Sequence, residues 1–256
     1  MRDLVIVGLG ELGRWLGAGA LGTGMRVTPV LRNTPLEPVW ASVPVETPIV
    51  VAVSEDALDD VLAHVPSARH AELVLLQNEL FPSRYAHLDA APAVLVPWLL
   101  KKRGLPQIVI RPTPVFGRHA ALIAELCTAL HVPCEPLPDA DALARALADK
   151  YTFILSINAL GTLHDLTLGT FLHEHPELTR AVAMEAGRLS ARLSGTPIDD
   201  ARSEACVLEG MGAMAQIGAR GRTARARVLR ALERAQHLGL PMPKLEEIAQ
   251  SSEPSS

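Results

Sequence analysis

Leu4-Val5-Ile6-Val7-Gly8-Leu9-Gly10-Glu11-Leu12-Gly13 sets four consecutive apolar residues directly before three glycines at G-x-G-x-x-G spacing. An uninterrupted apolar run this short, bounded at once by glycine, reads as a parallel strand buried on both faces. The pattern predicts a helix over about Glu11 to Leu21, ended by Gly22-Thr23-Gly24, and a second strand over Arg26 to Leu31. In such a strand-turn-helix unit Gly8 permits the tight turn, Gly10 lets a ligand approach the backbone, and Gly13 lets helix and strand pack closely.

A turn of this kind aims backbone N–H groups and the positive end of a helix dipole at one point, which suits a diphosphate. Gly8, Leu9, Gly10, Glu11, Leu12 and Gly13 are therefore expected to bind a dinucleotide. An acidic residue at the end of the second strand would hold both ribose hydroxyls of NAD(H). Arg32 stands there instead, followed by Asn33 and Thr34. A guanidinium pairs with a 2′-phosphate that a carboxylate would repel, so the expected cofactor is NADP(H).

Strand and helix patterns continue to alternate downstream. Strands are predicted at Ile49 to Val53, Leu73 to Gln77, Ala93 to Val96 and Ile108 to Arg111, with helices around Asp56 to His64 and Ala120 to Leu130. Pro133, Pro136 and Pro138 then break the pattern. Beyond residue 140 the period is helical, over about Asp141 to Leu160, Pro176 to Ser194, and Ser203 to Leu238 with interruption. The expected architecture is an α/β Rossmann-type domain with a parallel sheet over residues 1–140, an all-helical substrate and dimerisation domain over 141–250, and a disordered tail from Ser251 to Ser256.

The composition agrees with a globular chain that handles a small molecule. Of 256 residues 48% are hydrophobic and 20% charged, enough for a sizeable core. The net charge of −4 argues against a broad basic surface for nucleic acid or an anionic membrane. No run of about 18 apolar residues lacks charge or proline, and the N-terminus enters a strand without a leader pattern, so a cytoplasmic location is expected. Cys127, Cys134 and Cys206 show no metal-type spacing and read as structural.

Four further segments, at residues 49–62, 72–80, 149–163 and 212–228, carry Asn78, Lys150, Asn158, Met214, Gln216, Gly221 and Arg222 in patterns that resemble the ketopantoate reductase (2-dehydropantoate 2-reductase) family. IVVAVSEDALDDVL (49–62) and ELVLLQNEL (72–80) are similar to its cofactor domain, with Asn78 on the asparagine of a "llqNG" turn. Ser54 replaces the family's lysine and Glu79 its glycine. DKYTFILSINALGTL (149–163) is similar to K-x-x-x-N-x-x-x-N-P-L, with Lys150 on the catalytic lysine, Asn158 on the last asparagine and Ile154 in place of the middle one. On a helix Lys150 and Asn158 are separated by roughly 80° and about 12 Å of rise, so both can border one cleft. GAMAQIGARGRTARARV (212–228) is similar to the family's S-S-M-x-Q-D-x-x-x-G-R-x-T-E-I-D, carried by Met214, Gln216, Gly221 and Arg222. There Ala213 replaces a serine, Ile217 an aspartate, Arg225 a glutamate and Arg227 the final aspartate.

The resemblance implies a divergent NADP(H)-dependent reductase of a 2-oxo acid or related carbonyl compound, with a helical domain of the 6-phosphogluconate dehydrogenase C-terminal type and a homodimer as the assembly. It implies Lys150, Asn158 and Asn78 as catalytic residues, Asn78 also beside the cofactor, and Asn158 with Arg225 as substrate-binding residues. The replacements remove hydrogen bonds and reverse charge at the substrate, which argues against ketopantoate itself. An alternative stays open: an NADPH-binding regulatory or sensor protein without hydride transfer. The β-hydroxyacid dehydrogenase and imine reductase group fits less well, because Phe153 and Ile154 stand where its asparagine would.

Two polar clusters remain. His164, Asp165, His173, Glu174 and His175 match no metal motif, and the last three read as a loop leading to a helix at Pro176. No metal is expected. Arg220, Arg222, Arg225, Arg227, Arg230 and Arg234 form a basic run. As one helix it would place 220, 227, 230 and 234 on a shared face, suited to an anion, to solvent or to a second subunit.

Overall fold

The computed structural model describes residues 1–101, 106–221 and 223–251. They divide into two compact units, residues 1–143 and the chain from Ala144 onward. Within the first lie β1 (Asp3–Val7), α1 (Glu11–Gly22), β2 (Arg26–Val30), α2 (Leu36–Ser42), β3 (Ile49–Val51), α3 (Leu58–Ala63) and β4 (Leu73–Leu75). These are followed by α4 (Pro82–Tyr85), β5 (Ala93–Leu95), β6 (Leu99–Leu100), β7 (Ile108–Val109), β8 (Thr113–Phe116), α5 (Ala120–Ala129) and β9 (Cys134–Pro136).

Seven strands form one sheet in the order β2-β1-β3-β4-β5-β8-β9. The pairs from β2 to β5 are parallel, and β8 runs antiparallel to β5. Leu4, Val5 and Ile6 of β1 have no solvent exposure, as their unbroken apolar run requires of a strand covered on both faces. Because β2 lies on one side of β1 and β3 on the other, the chain reverses direction across the sheet beside β1. The carboxyl ends of strands at such a point leave a crevice for a ligand.

Several expectations need correction. The predicted strand at Ile108 to Arg111 does not join the main sheet; β7 pairs with β6 as a separate antiparallel hairpin. Pro106 and Pro112, which lack amide donors, bracket this two-residue ladder. The proline-rich passage read as a break contains β9, an edge strand, where a missing N–H is tolerated. The helix α2 and the strand β8 escaped the pattern altogether.

The helix α6 (Ala140–Leu163) crosses from the first unit into the second, which also holds α7 (Leu168–Glu174), α8 (Pro176–Ser194), α9 (Asp200–Ala213), α10 (Ala224–His237) and α11 (Pro243–Ser251). His173 and Glu174 are therefore the end of α7, not a loop. Ser251 ends α11; the rest of the expected tail, 252–256, lies outside the described residues, as does Arg222. Gly195 closes α8 in the left-handed conformation (φ 70°), the usual role of glycine after a helix.

Small residues bring these helices close. A Cβ on Gly187 of α8 would fall on the Ser203 hydroxyl of α9, and one on Gly210 of α9 would lie 2.5 Å from the Phe153 ring of α6. The Thr152 hydroxyl of α6 donates to Ser190 Oγ of α8 at 2.9 Å. The long helical segment predicted from Ser203 to Leu238 is split, and its connection folds back on the α6–α7 corner. Leu168 N–H donates to the Ile217 carbonyl, Gly169 N–H to that of Ala215, and Ala219 N–H to that of Leu166, each at 2.9 Å.

Candidate functional site

In the first unit the glycines occupy the carboxyl edge of the parallel strands. Gly8 adopts φ +92°, and a Cβ there would lie 2.6 Å from the Ala52 carbonyl oxygen just past β3. A Cβ on Gly13 would fall on the Gly8 carbonyl oxygen. A Cβ on Gly10, by contrast, meets nothing within 4 Å. Two glycines are thus required by the protein's own packing, and the third keeps a face open at the start of α1.

Gly10 is the N-cap of α1 and offers no side-chain cap. The first intrahelical bond of the turn, Arg14 N–H to the Gly10 carbonyl, begins only at residue 14, and the Arg14 guanidinium steadies the turn by donating to the Leu9 carbonyl at 2.7 Å. The first N–H groups of α1 are therefore those left for an anion at the open Gly10 face. This geometry fits the diphosphate of a dinucleotide. Leu12 is half-buried, while Glu11 is exposed.

Arg32 sits two residues beyond β2 at the corner of a tight turn, closed by Thr34 N–H to the Leu31 carbonyl (2.9 Å) and Leu31 N–H to Thr34 Oγ1 (3.0 Å). Its side chain is exposed and makes no hydrogen bond or ion pair among the described residues. The same edge ties it to the glycines, since Gly8 N–H donates to the Val30 carbonyl at 2.9 Å. Asn78 is half-buried in the turn after β4. Gln77, to which the sequence reading gave no role, fixes that turn: its Nε2 donates to the Val51 carbonyl at 2.7 Å while its Oε1 accepts from Leu76 N–H at 3.1 Å. Glu79 is fully buried, and its N–H donates to Glu55 Oε1 at 3.0 Å.

In the second unit Lys150 lies midway along α6 and is 4% exposed, with Nζ 5.9 Å from the Phe153 ring centroid. The neighbouring carboxylate, Asp149, is turned to Arg202 of α9, which grips it through Nε (3.0 Å) and Nη2 (2.7 Å). Asn158, 7% exposed, donates from Nδ2 to the Ile154 carbonyl at 2.7 Å and accepts at Oδ1 from Arg227 Nη1 at 3.0 Å.

Arg227 is the residue that sequence reasoning undervalued. It is buried, whereas Arg225, expected to meet substrate, is exposed in the first turn of α10. The signal was present: Ala224, Val228, Ala231 and Ala235 form the buried stripe of α10, and position 227 falls on that stripe. Arg220 precedes α10 and does not share its face. Arg234, one end of the basic run, donates from Nη1 to the Tyr151 hydroxyl of α6 at 3.3 Å.

The fold-back segment explains why Arg227 meets Asn158. A Cβ on Gly161 of α6 would fall on the Ala219 carbonyl, so the segment lies directly against the end of α6. It then passes Gly221, whose Cβ position is 3.3 Å from Asn158 Oδ1, and starts α10. Among the described residues no group of three or more His, Cys, Asp or Glu side chains is arranged to hold a metal, and no helix is long and apolar enough to cross a membrane.

No protein-family model and no curated protein sequence matches the chain. Solved structures do. It is similar to 2-dehydropantoate 2-reductase of Geobacter metallireducens (18% identity, 98% of each chain covered, TM-score 0.70). It is likewise similar to a dimeric ketopantoate reductase of Staphylococcus aureus (16%, 97% of this chain and 98% of that one, TM-score 0.66). A D-mandelate dehydrogenase solved with NADH and anilino(oxo)acetate shares the architecture at 10% identity (98% and 97% covered, TM-score 0.68). A Rossmann-type sheet with this strand order, joined to a helical unit of this kind, is the fold of the ketopantoate reductases, and this chain has that fold.

Proposed function

We propose that the protein is an NADP(H)-dependent reductase of a 2-oxo acid other than ketopantoate. The observation that carries this reading is Lys150, a lysine nine-tenths buried on the same helix as Asn158, within a fold shared by reductases and dehydrogenases of such acids. Gly8, Leu9, Gly10, Glu11, Leu12 and Gly13 would hold the diphosphate, and Arg32 the 2′-phosphate. When bound, the dihydronicotinamide supplies the hydride. Lys150 gives a proton to the carbonyl oxygen as charge develops there, because an alkoxide is costly where water is scarce. Asn78 and Asn158 orient the substrate, and Arg225 meets an anionic group on it. The S. aureus neighbour supports a homodimer, which sedimentation of the purified chain would test.

The assignment is tested by NADPH oxidation followed at 340 nm with a panel of 2-oxo acids that includes ketopantoate. At least one acid is expected to turn over faster than ketopantoate, and Lys150→Ala to lower its kcat by about 10²–10⁴-fold. Tight NADPH binding with no turnover of any acid would replace the reductase reading by that of a nucleotide-binding regulator.

A further inference from the structure

Asn158 has one chemical identity at each end of its amide, and its neighbours decide which end is which. Arginine only donates, so the atom facing Arg227 must be Oδ1; a backbone carbonyl only accepts, so the atom facing Ile154 must be Nδ2. A side chain at position 221 would also press on this oxygen, since a Cβ on Gly221 would lie 3.3 Å from Oδ1. One Nδ2 hydrogen is held by the Ile154 carbonyl, and the other has no acceptor among the described residues. A nearly buried N–H in that condition needs a partner.

We infer that Arg227 is a positioning residue that clamps Asn158 as a donor-only contact, so that the substrate group placed there is a hydrogen-bond acceptor, a carboxylate or carbonyl oxygen. The substrate part of this inference rests on the reductase reading; the clamp does not. Arg227 reaches Asn158 because residues 215–221 are pinned to the end of α6 and the start of α7, and α10 turns its buried stripe toward α6. Without the guanidinium the amide can rotate about its last bond and present oxygen instead, which repels an acceptor. The replacement of a carboxylate by Arg227 in this segment thus has a specific consequence: it fixes the polarity of the contact.

Two measurements on the full-length protein separate the clamp from the reductase reading. In protein labelled with 15N-asparagine, the Asn158 side-chain amide, assigned by its loss in Asn158→Ala, should give one sharp proton pair. In Arg227→Met it should shift and broaden, and in Arg227→Lys it should be largely restored. An unchanged amide in Arg227→Met overturns the clamp whether or not any acid is reduced.

With the best 2-oxo acid of the panel, Arg227→Met should raise KM about tenfold, the effect of one lost charged hydrogen bond, with kcat within about threefold. Arg227→Lys should recover most of it. Asn158→Asp, which keeps an ion pair with Arg227 but offers only acceptors, should retain its far-ultraviolet circular dichroism and lose at least about 100-fold in kcat/KM. A lowered melting temperature in Arg227→Met with KM unchanged, or full activity in Asn158→Asp, would make Arg227 a packing residue and overturn the inference. If no acid turns over while the amide still responds to Arg227→Met, the clamp stands and the reductase reading falls.

Discussion

At Gly13 one methyl group separates an intact turn after β1 from a broken one, because its Cβ would fall on the Gly8 carbonyl oxygen, which is backbone and cannot swing away. Gly13→Ala should therefore lose NADPH binding in a fluorescence titration and destabilise the first unit by about 1–3 kcal/mol. Arg32 gives the complementary case: removing it touches no packing. Arg32→Ala should weaken NADPH by about 10-fold or more, the value of one or two charge-assisted hydrogen bonds, and leave NADH unaffected. Equal NADPH and NADH affinities in the unmodified protein would dismiss its phosphate role. A third residue-scale effect was invisible in the linear spacing. All three cysteines read as structural in the sequence, yet the Cys127 and Cys134 thiols perturb each other's ionisation. Hydrogen bonding to Cys134, with burial, pushes the Cys127 thiol far up, and the same bond holds Cys134 below the ordinary thiol range. A depressed thiol stays ionised to lower pH, so Cys134 should alkylate with iodoacetamide faster than Cys127, and Cys127→Ala should move its rate profile to higher pH.

Among the elements, two helix ends are held by side chains from elsewhere in the chain. Glu185 of α8, 6% exposed, accepts from the N–H groups of Lys244 (2.8 Å) and Leu245 (3.0 Å) at the start of α11. A carboxylate at a helix N-terminus satisfies orphan donors and meets the positive end of the dipole. Glu185→Gln should cost about 1 kcal/mol and Glu185→Ala about 2 kcal/mol in urea unfolding. At the other end of a helix, buried Arg69 donates to the carbonyls of Trp40 in the last turn of α2 (2.6 Å) and of Val43 (2.8 Å) and Pro44 (2.8 Å) just beyond it. Neither contact could be read from spacing, since the partners lie 25 to 60 residues apart. What spacing did reveal are elements dominated by their own residues: β1 with its glycine turn, and α8, whose predicted and observed ends coincide at Pro176 and Ser194. Pattern reading missed β8 and β9, because proline tolerance depends on the edge position or the pairing partner, which a local pattern does not contain.

On the scale of the whole molecule the tryptophans provide a natural division. Trp15, Trp40 and Trp98 are all buried in the first unit, and the second has none. Tryptophan fluorescence therefore reports unfolding of the first unit alone. NADPH at about 100 times its dissociation constant should stabilise that transition by about 2.7 kcal/mol, and NADH at the same concentration by less. A midpoint indifferent to NADPH would contradict the cofactor assignment.

The linear chain was sufficient to specify the α/β half followed by a helical half, the glycine turn and the arginine after the second strand. Each of these depends on residues close in sequence, on periodicity and on backbone freedom. It also marked Lys150 and Asn158 as a pair on one helix face. Tertiary structure alone set Arg227 against Asn158, buried Glu79, placed the Cys127 thiol where it perturbs Cys134 and turned residues 214–221 back onto the end of α6. Those outcomes depend on which distant surfaces meet. Burial and hydrogen bonding across such surfaces, not local propensity, decide whether a charged side chain is solvated or becomes part of a site.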